Sequence, residues 1–284
     1  MKISGFDYQC LEGAEGTMLN VAVGGSGSPI VLLHGFPQTH LMWRDVARDL
    51  AADHTVICPD LRGYGDSDKP TEGYSKRLMA ADVVAVAKAL GHEQFALAGH
   101  DRGALVAFRG GLDHPGTVTH LASLDVLPTL DMWNSLHGVN AAVAFHLYLM
   151  ALPPGLPEEL IAGNPDAFFG YFLDLWAKSP FPSDIRAAYL EACRKAVPSI
   201  VADYRASAGI DIEHDQEDLA AGNQLQMPVT VLQQDWGAQL GFNAVALWQA
   251  WAPKLEHLTV DYGHFMAEEA PAEIAAILRS LVSR

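Results

Sequence analysis

Cysteine, positive charge and long apolar runs are what this sequence has little of. Its three cysteines, Cys10, Cys58 and Cys193, stand far apart. They show neither metal-ligand spacing nor a disulfide framework, so all three are expected to be buried thiols acting as small hydrophobes in a reducing cytoplasm. Lysine and arginine number 18 against 34 acidic residues, a net charge of -16. A chain this acidic repels phosphate backbones and anionic membrane surfaces, which sets nucleic-acid binding aside. It also gives no help to an anionic substrate, which would need local positive charge. No apolar run approaches the ~18–20 residues of a membrane span. The longest, Ala141 to Leu152, carries His146 and stops at Pro153-Pro154. The opening MKISGFDYQC lacks the apolar centre of a secretory signal. No cofactor or metal is implied.

What is present is enough apolar material for a large core: 50% of 284 residues. The length suits one α/β domain, or one such domain carrying an insertion. Strand and helix patterns alternate through the first half. Strands are expected at Pro29–Leu33, His54–Cys58, Phe95–Ala98 and Thr119–Leu124. Helices are expected at Trp43–Ala52, Ser75–Leu90 and Ala104–Leu112. Such alternation implies a doubly wound, mostly parallel sheet. From Pro128 to about Asn223 only helical segments appear, broken by several prolines. Alternation then resumes with Val229–Leu232, Phe242–Trp251, Leu255–Val260 and a closing helix Ala272–Val282 behind Pro271. The economical organisation is an α/β core, 1–127 and 224–284, with a helical lid inserted at 128–223.

The chemistry concentrates in Gly99-His100-Asp101-Arg102-Gly103, set between a strand and a helix. This is the small-x-nucleophile-x-small turn of α/β-hydrolases, which lifts one side chain above the sheet beside a helix N-terminus. Serine is its usual occupant. A carboxylate there gains little by attacking an ester, since the product is an anhydride. Attack on a saturated carbon bearing a leaving group gives an alkyl ester that water can later hydrolyse. The electrophile is then an alkyl halide or an epoxide. The plain alternative, an aspartate that merely caps a helix, fits the flanking glycines less well.

Hydrolysis of that ester needs a base. His264, in Asp261-Tyr262-Gly263-His264-Phe265 after the last strand, occupies the place of the triad histidine. Two carboxylates at strand ends could orient it, Asp125 and Asp235; Asp125 is favoured, because Asp235 sits among Gln234 and Trp236 in an irregular stretch. His34-Gly35-Phe36-Pro37, after the strand Pro29–Leu33, offers the Phe36 backbone N–H to the developing oxyanion, with the Arg102 N–H as second donor. His34, Asp101, Asp125 and His264 all follow expected strands, at the carboxyl edge where open α/β sheets bind ligands. The charged loop Asp60–Pro70 is read as structural.

HGFPQTHLMW, PDLRGYGDSDKP and GHDRGA, with LDVLPT around Asp125, DYRASAGIDIEHD around Tyr204 and the GHF at His264, resemble the fluoroacetate and haloacetate dehalogenases, relatives of the α/β-hydrolase epoxide hydrolases. The resemblance covers most of the chain. It implies the α/β-hydrolase fold, Asp101 as nucleophile, His264 as base and Asp125 as its partner. It further implies that Arg102 binds the substrate carboxylate, and that His146 and Tyr204 cradle the departing halide. A homodimer is also implied, although no stretch of sequence marks an interface. On the residues alone, the favoured readings are plainer: His146 as a core histidine on an apolar helix face, and Tyr204 as a packed aromatic with one hydrogen bond.

Two departures stand out. The second carboxylate-binding arginine of the haloacetate enzymes falls at Leu105, and a third halide donor, a tryptophan, falls at Leu147. The expectation is therefore a dehalogenase for small 2-haloacids, less suited to fluoroacetate. Its rival is an epoxide hydrolase in which His146 and Tyr204 serve the opening oxygen. A protein of this fold that binds a ligand without turnover is the third reading.

Overall fold

A computed structural model describes all residues, 1–284. Eight strands form one sheet: β1 (Asp7–Glu12), β2 (Met18–Gly25), β3 (Ser28–Leu33), β4 (His54–Pro59), β5 (Phe95–His100), β6 (Val118–Leu124), β7 (Val229–Gln233) and β8 (Leu255–Thr259). Their spatial order is β1-β2-β4-β3-β5-β6-β7-β8. The strands from β4 to β8 in that order run parallel, while β1 and β2 form an antiparallel edge. The central strands are apolar and buried without alternation, as parallel strands covered on both faces must be; all six residues of β5 are buried. The antiparallel pair was not expected from the sequence: DYQCLE and MLNVAVGG mix polar and apolar residues without a clean period.

The sheet decides where the site falls. From β3 the chain moves outward to β4, then returns to the other side of β3 as β5. The space above the β3 and β5 carboxyl ends is therefore the switch point of the sheet. Leu33 pairs with Gly99 there, which brings Gly35-Phe36 alongside Asp101.

Helix ends follow capping chemistry. Ser75 Oγ accepts from the Leu78 N–H at 3.2 Å to start the helix Lys76–Ala89, and Gly91 follows its end at φ 86. The helix expected from Phe242 starts instead at Ala244, because Asn243 Oδ1 accepts from the Ala246 N–H at 3.0 Å and fixes the start. The helix expected from Trp43 is shortened to Arg44–Leu50, with His40–Trp43 wound as a 3-10 turn before it.

Between β6 and β7 lie seven α-helices, from Thr129–Ser135 to Ile210–Ala221, and no strand. Several prolines that break the pattern in sequence begin helices in the fold. Pro165 opens Pro165–Trp176, and Pro157 and Pro198 sit in first turns, where a missing N–H costs nothing. Asp60 anchors the charged loop: it accepts from the His40 N–H at 2.9 Å, the Asn20 side chain at 2.9 Å and the Asp66 N–H at 3.0 Å.

Cys58 and Cys193 are buried, as expected, but Cys10 is exposed on edge strand β1. No cysteine is paired, and no helix is long and apolar enough to cross a membrane.

Candidate active site

Asp101 follows β5 directly and precedes the helix Arg102–Asp113. Its backbone sits at φ 49, ψ -116, a conformation that L residues avoid and that marks a strained strand-to-helix turn. Gly103 permits the turn. A Cβ on Gly103 would lie 2.4 Å from the His34 carbonyl oxygen and 2.5 Å from that of Leu33. The close approach of β3 carries the Phe36 N–H to 2.7 Å from Asp101 Oδ1. One carboxylate oxygen is therefore held, while Oδ2 faces His264 Nε2 at 3.9 Å. Burial pushes the Asp101 pKa up, against the lowering effects of the His264 and Arg102 charges and the Phe36 and Arg102 backbone N–H groups.

His264 Nδ1 donates to Asp125 Oδ2 at 2.7 Å, a tautomer assigned from this contact. That leaves the Nε2 lone pair toward Asp101, buried and without a partner. Burial lowers the His264 pKa, but the hydrogen bond and charge of Asp125, with a further contribution from Asp101, raise it overall. The backbone is held on both sides. The His264 N–H donates to the Trp176 carbonyl at 2.9 Å, and its own carbonyl accepts from His100 Nε2 at 2.7 Å. Asp125, at φ 56, is fully buried. Gln234 reaches both its oxygens: the backbone N–H donates to Oδ1 at 2.9 Å, and Nε2 donates at 2.7 Å to Oδ2, the oxygen that also meets His264. Asp235, the other carboxylate considered, caps the short helix Trp236–Leu240 through the Ala238 N–H at 3.2 Å.

The wall opposite Asp101 comes from the helices between β6 and β7. The His146 ring stacks on Phe36 at 5.8 Å with an interplanar angle of 9°, and the Tyr204 ring lies 5.3 Å from Phe36 and 5.5 Å from His146. Tyr204 Oη and His146 Nδ1 are buried without hydrogen-bond partners. Unpaired buried polar atoms are costly, so two of them in one cavity point to a ligand that supplies the missing bonds. Burial, with the Arg102 and His264 charges, lowers the His146 pKa to about 3, so the ring is neutral near pH 7. Burial and the Asp101 charge push the Tyr204 phenol well above its ordinary value, so it keeps its proton.

Arg102 is placed less freely than its expected role requires. Its Nε and Nη2 donate to the two carboxylate oxygens of Asp203 at 2.8 and 2.9 Å, Nη2 also to the Asp203 carbonyl at 3.0 Å, and Nη1 to Ser207 Oγ at 3.3 Å. Its guanidinium carbon lies 4.2 Å from the centre of the Tyr204 ring. Lys76 also pairs with Asp203, and Tyr64 donates to it at 2.7 Å. Removing Asp203 would leave buried Arg102 without its carboxylate and Lys76 with only Asp211, 3.7 Å away. The Asp203→Ala variant should lose about 3–5 kcal/mol of stability, measured by denaturant unfolding. A loss under ~1 kcal/mol would mean that water reaches and solvates these cations.

Sequence reasoning did not single out Trp176 or Gln234. The Trp176 ring lies 4.9 Å from His264 and 5.2 Å from His146, closing the cavity between them. Gln234 follows β7 directly, so its strand-end position was visible, but its contact with Asp125 depends on β7 lying beside β6. The cavity enclosed by these groups measures about 260 Å³ and includes Leu105 and Leu147 in its lining.

Strand order, elbow and triad geometry together define a class, and similarity to known proteins agrees. Residues 28–151 match the family described as alpha/beta hydrolase fold. The chain is 38% identical to a fluoroacetate dehalogenase from Burkholderia sp, over 98% of this chain and 94% of that one. It is 32% identical to a soluble epoxide hydrolase from Corynebacterium sp., over 90% of each. Among solved structures, an epoxide hydrolase candidate from Pseudomonas aeruginosa superposes with TM-score 0.93 at 40% identity, covering 99% of this chain and 96% of that one. This chain belongs to the α/β-hydrolase family, and its relatives named dehalogenase or epoxide hydrolase are hydrolytic enzymes.

Proposed function

We propose that this protein is a hydrolase with Asp101 as nucleophile, opening a carbon–halogen bond through a covalent alkyl ester. The observation that carries the reading is the Asp101–His264–Asp125 alignment. One carboxylate oxygen, Oδ1, accepts from the Phe36 N–H, and the other, Oδ2, faces an unpartnered histidine nitrogen 3.9 Å away. Oδ2 attacks the carbon from the side opposite the halogen, the new C–O bond forms, and halide departs with the bonding pair. The Tyr204 hydroxyl, and His146 where its ring nitrogen carries the proton, receive the halide. Water then attacks the ester carbonyl carbon of Asp101 as His264 Nε2 takes its proton, and Asp125 stabilises the imidazolium. The Phe36 and Arg102 N–H groups meet the oxyanion. The small 2-haloacids implied by the sequence resemblance are the first substrate class for this chemistry, and near full-length similarity to a fluoroacetate dehalogenase supports it.

Epoxide opening is the second reading, and one observation favours it. Tyr204 is a buried phenol that stays protonated and lacks a partner, as suits an alkoxide that remains attached after C–O cleavage. Halide release and diol formation, followed together on chloroacetate, bromoacetate and styrene oxide, separate the two. A ligand-binding role without turnover predicts neither product.

The pH dependence of ester hydrolysis tests the assignment of His264. Only neutral imidazole can act as the base, so the rate falls as pH drops through the His264 pKa. In the resting protein the Asp101 charge helps to raise that pKa. In the ester that charge is gone, so the pKa must be lower. The pH midpoint of ester decay in single turnover should therefore lie below the His264 midpoint measured by NMR in the free protein. Coincident midpoints would place the ester elsewhere.

A further inference from the structure

We infer that the substrate of this site is uncharged and larger than a two-carbon haloacid, because Arg102 is committed to Asp203 and Leu105 beside it leaves the cavity without an unpaired cation. The inference rests on the Asp101 reading above and departs from the 2-haloacid taken there as first substrate.

The charges around the cavity can be followed pair by pair. Four of the five Arg102 N–H donors are used within the protein, three of them on Asp203. One N–H of Nη1 is left, too few for the paired contact by which a guanidinium holds a carboxylate. Behind Arg102, Lys76 pairs with Asp203 and lies 3.7 Å from Asp211. Arg102 and Lys76 are thus balanced by Asp203 and Asp211, and the group is neutral. The other cation lining the cavity, Lys178, is paired with Asp261. His264, with its Nε2 unprotonated, adds no positive charge beside Asp125. What remains without a counter-charge is Asp125 and, facing the cavity, the carboxylate of Asp101. A substrate anion would have to bring its own negative charge against that carboxylate in a buried site, with no cation to offset the repulsion. Leu105, one helical turn beyond Arg102, is 1% exposed and contributes only methyl groups to the cavity.

Cavity size points the same way. A volume of about 260 Å³ is many times the roughly 10–15 Å³ that one water requires on the same measure. A two-carbon haloacid would leave most of it empty. The lining is mostly apolar, with Leu105, Leu136, Leu147 and Met132 among it, and an alkyl or aryl body would fill that space. The chemistry is unchanged: Oδ2 of Asp101 forms the bond to carbon, chloride leaves with the electron pair, and water regenerates the carboxylate.

A matched pair isolates the charge: 2-chlorohexanoate and 2-chlorohexanamide, with the same carbon chain and leaving group. Chloride release by the wild type gives kcat/KM for each, corrected for the ratio of their uncatalysed rates with acetate. The amide is expected to be favoured at least tenfold. Leu105→Arg should raise the acid-to-amide ratio by at least tenfold, and this comparison needs no correction because intrinsic reactivity cancels. Equal rates, or preference for the acid by the wild type, would overturn the inference while leaving Asp101 as nucleophile. Preference for chloroacetamide over the hexanamide would overturn the size argument. Intact mass measurement of His264→Gln with the same compounds and with styrene oxide reports on the underlying reading. If no compound adds its alkyl group to that protein, the Asp101 reading itself fails and takes the inference with it.

Discussion

Mixing the His264→Gln variant with a substrate should yield protein heavier by one alkyl group, near one equivalent per chain, and turnover reduced by about 10³-fold or more. The two chemical steps make different demands on the histidine. Attack on carbon needs only an ionised Asp101 with one free oxygen, and the Phe36 N–H holds Oδ1 so that Oδ2 points into the cavity. Hydrolysis of the ester needs a base to deprotonate water; His264 is the one raised in basicity by a carboxylate partner, whereas His146, also unpartnered in the cavity, has its pKa lowered to about 3. The His100 ring lies tilted against His264, centres 4.5 Å apart, but its Nε2 is used on the His264 carbonyl and burial holds its pKa well below the ordinary value. Glutamine keeps approximate size and polarity yet cannot take the proton. The first step therefore proceeds and the second stalls. Peptide mapping should find the added mass on Asp101. Full turnover by this variant would show that the base lies elsewhere, and adduct on another residue would displace Asp101.

The second large effect concerns Asp101 itself. Asp101→Ala should lower kcat/KM by about 10⁴-fold or more, because no other residue can supply the nucleophile. Stability should move the other way. The native carboxylate is mostly buried (its side chain is 13% exposed), its pKa is raised by desolvation, and its backbone is held at φ 49. Alanine keeps the backbone strain but removes the desolvated charge. The melting temperature of the variant is expected to equal or exceed that of the wild type, as when a strained functional group is deleted. A fall of several degrees would show that the Phe36 N–H hydrogen bond contributes more than the charge costs.

How much of this could be read from the chain differs between the sheet and the helices above it. Asp101, Asp125 and His264 each follow a strand closely, and parallel strands end on one edge, so their convergence follows from order alone. The choice between Asp125 and Asp235 was a matter of distance. Both lie at strand ends, and β6 sits one strand nearer β5 than β7 does. The hairpin β1–β2 was invisible because an exposed edge strand has no continuous apolar run to betray it. Cys10 was misjudged for the same reason. Trp176 and the pairing of Arg102 with Asp203 were out of reach. Both depend on contacts across some 90–100 residues of sequence between sheet and helices, and nothing in local periodicity records which helix face meets which strand end.

The two sides of the cavity have separate origins in the chain. The proposed nucleophile Asp101, base His264 and its partner Asp125 all come from segments that follow β5, β8 and β6, whereas His146, Tyr204 and Trp176 come from residues 129–221. The part that makes the bond and the part that receives what leaves can therefore change independently. Exchanging residues 129–221 for those of another family member would test that separation. Such hybrids should retain the ability to form an ester on Asp101 while differing in which leaving group they accept. A single fold can thus diversify its chemistry by rewriting one contiguous stretch of about a third of its length.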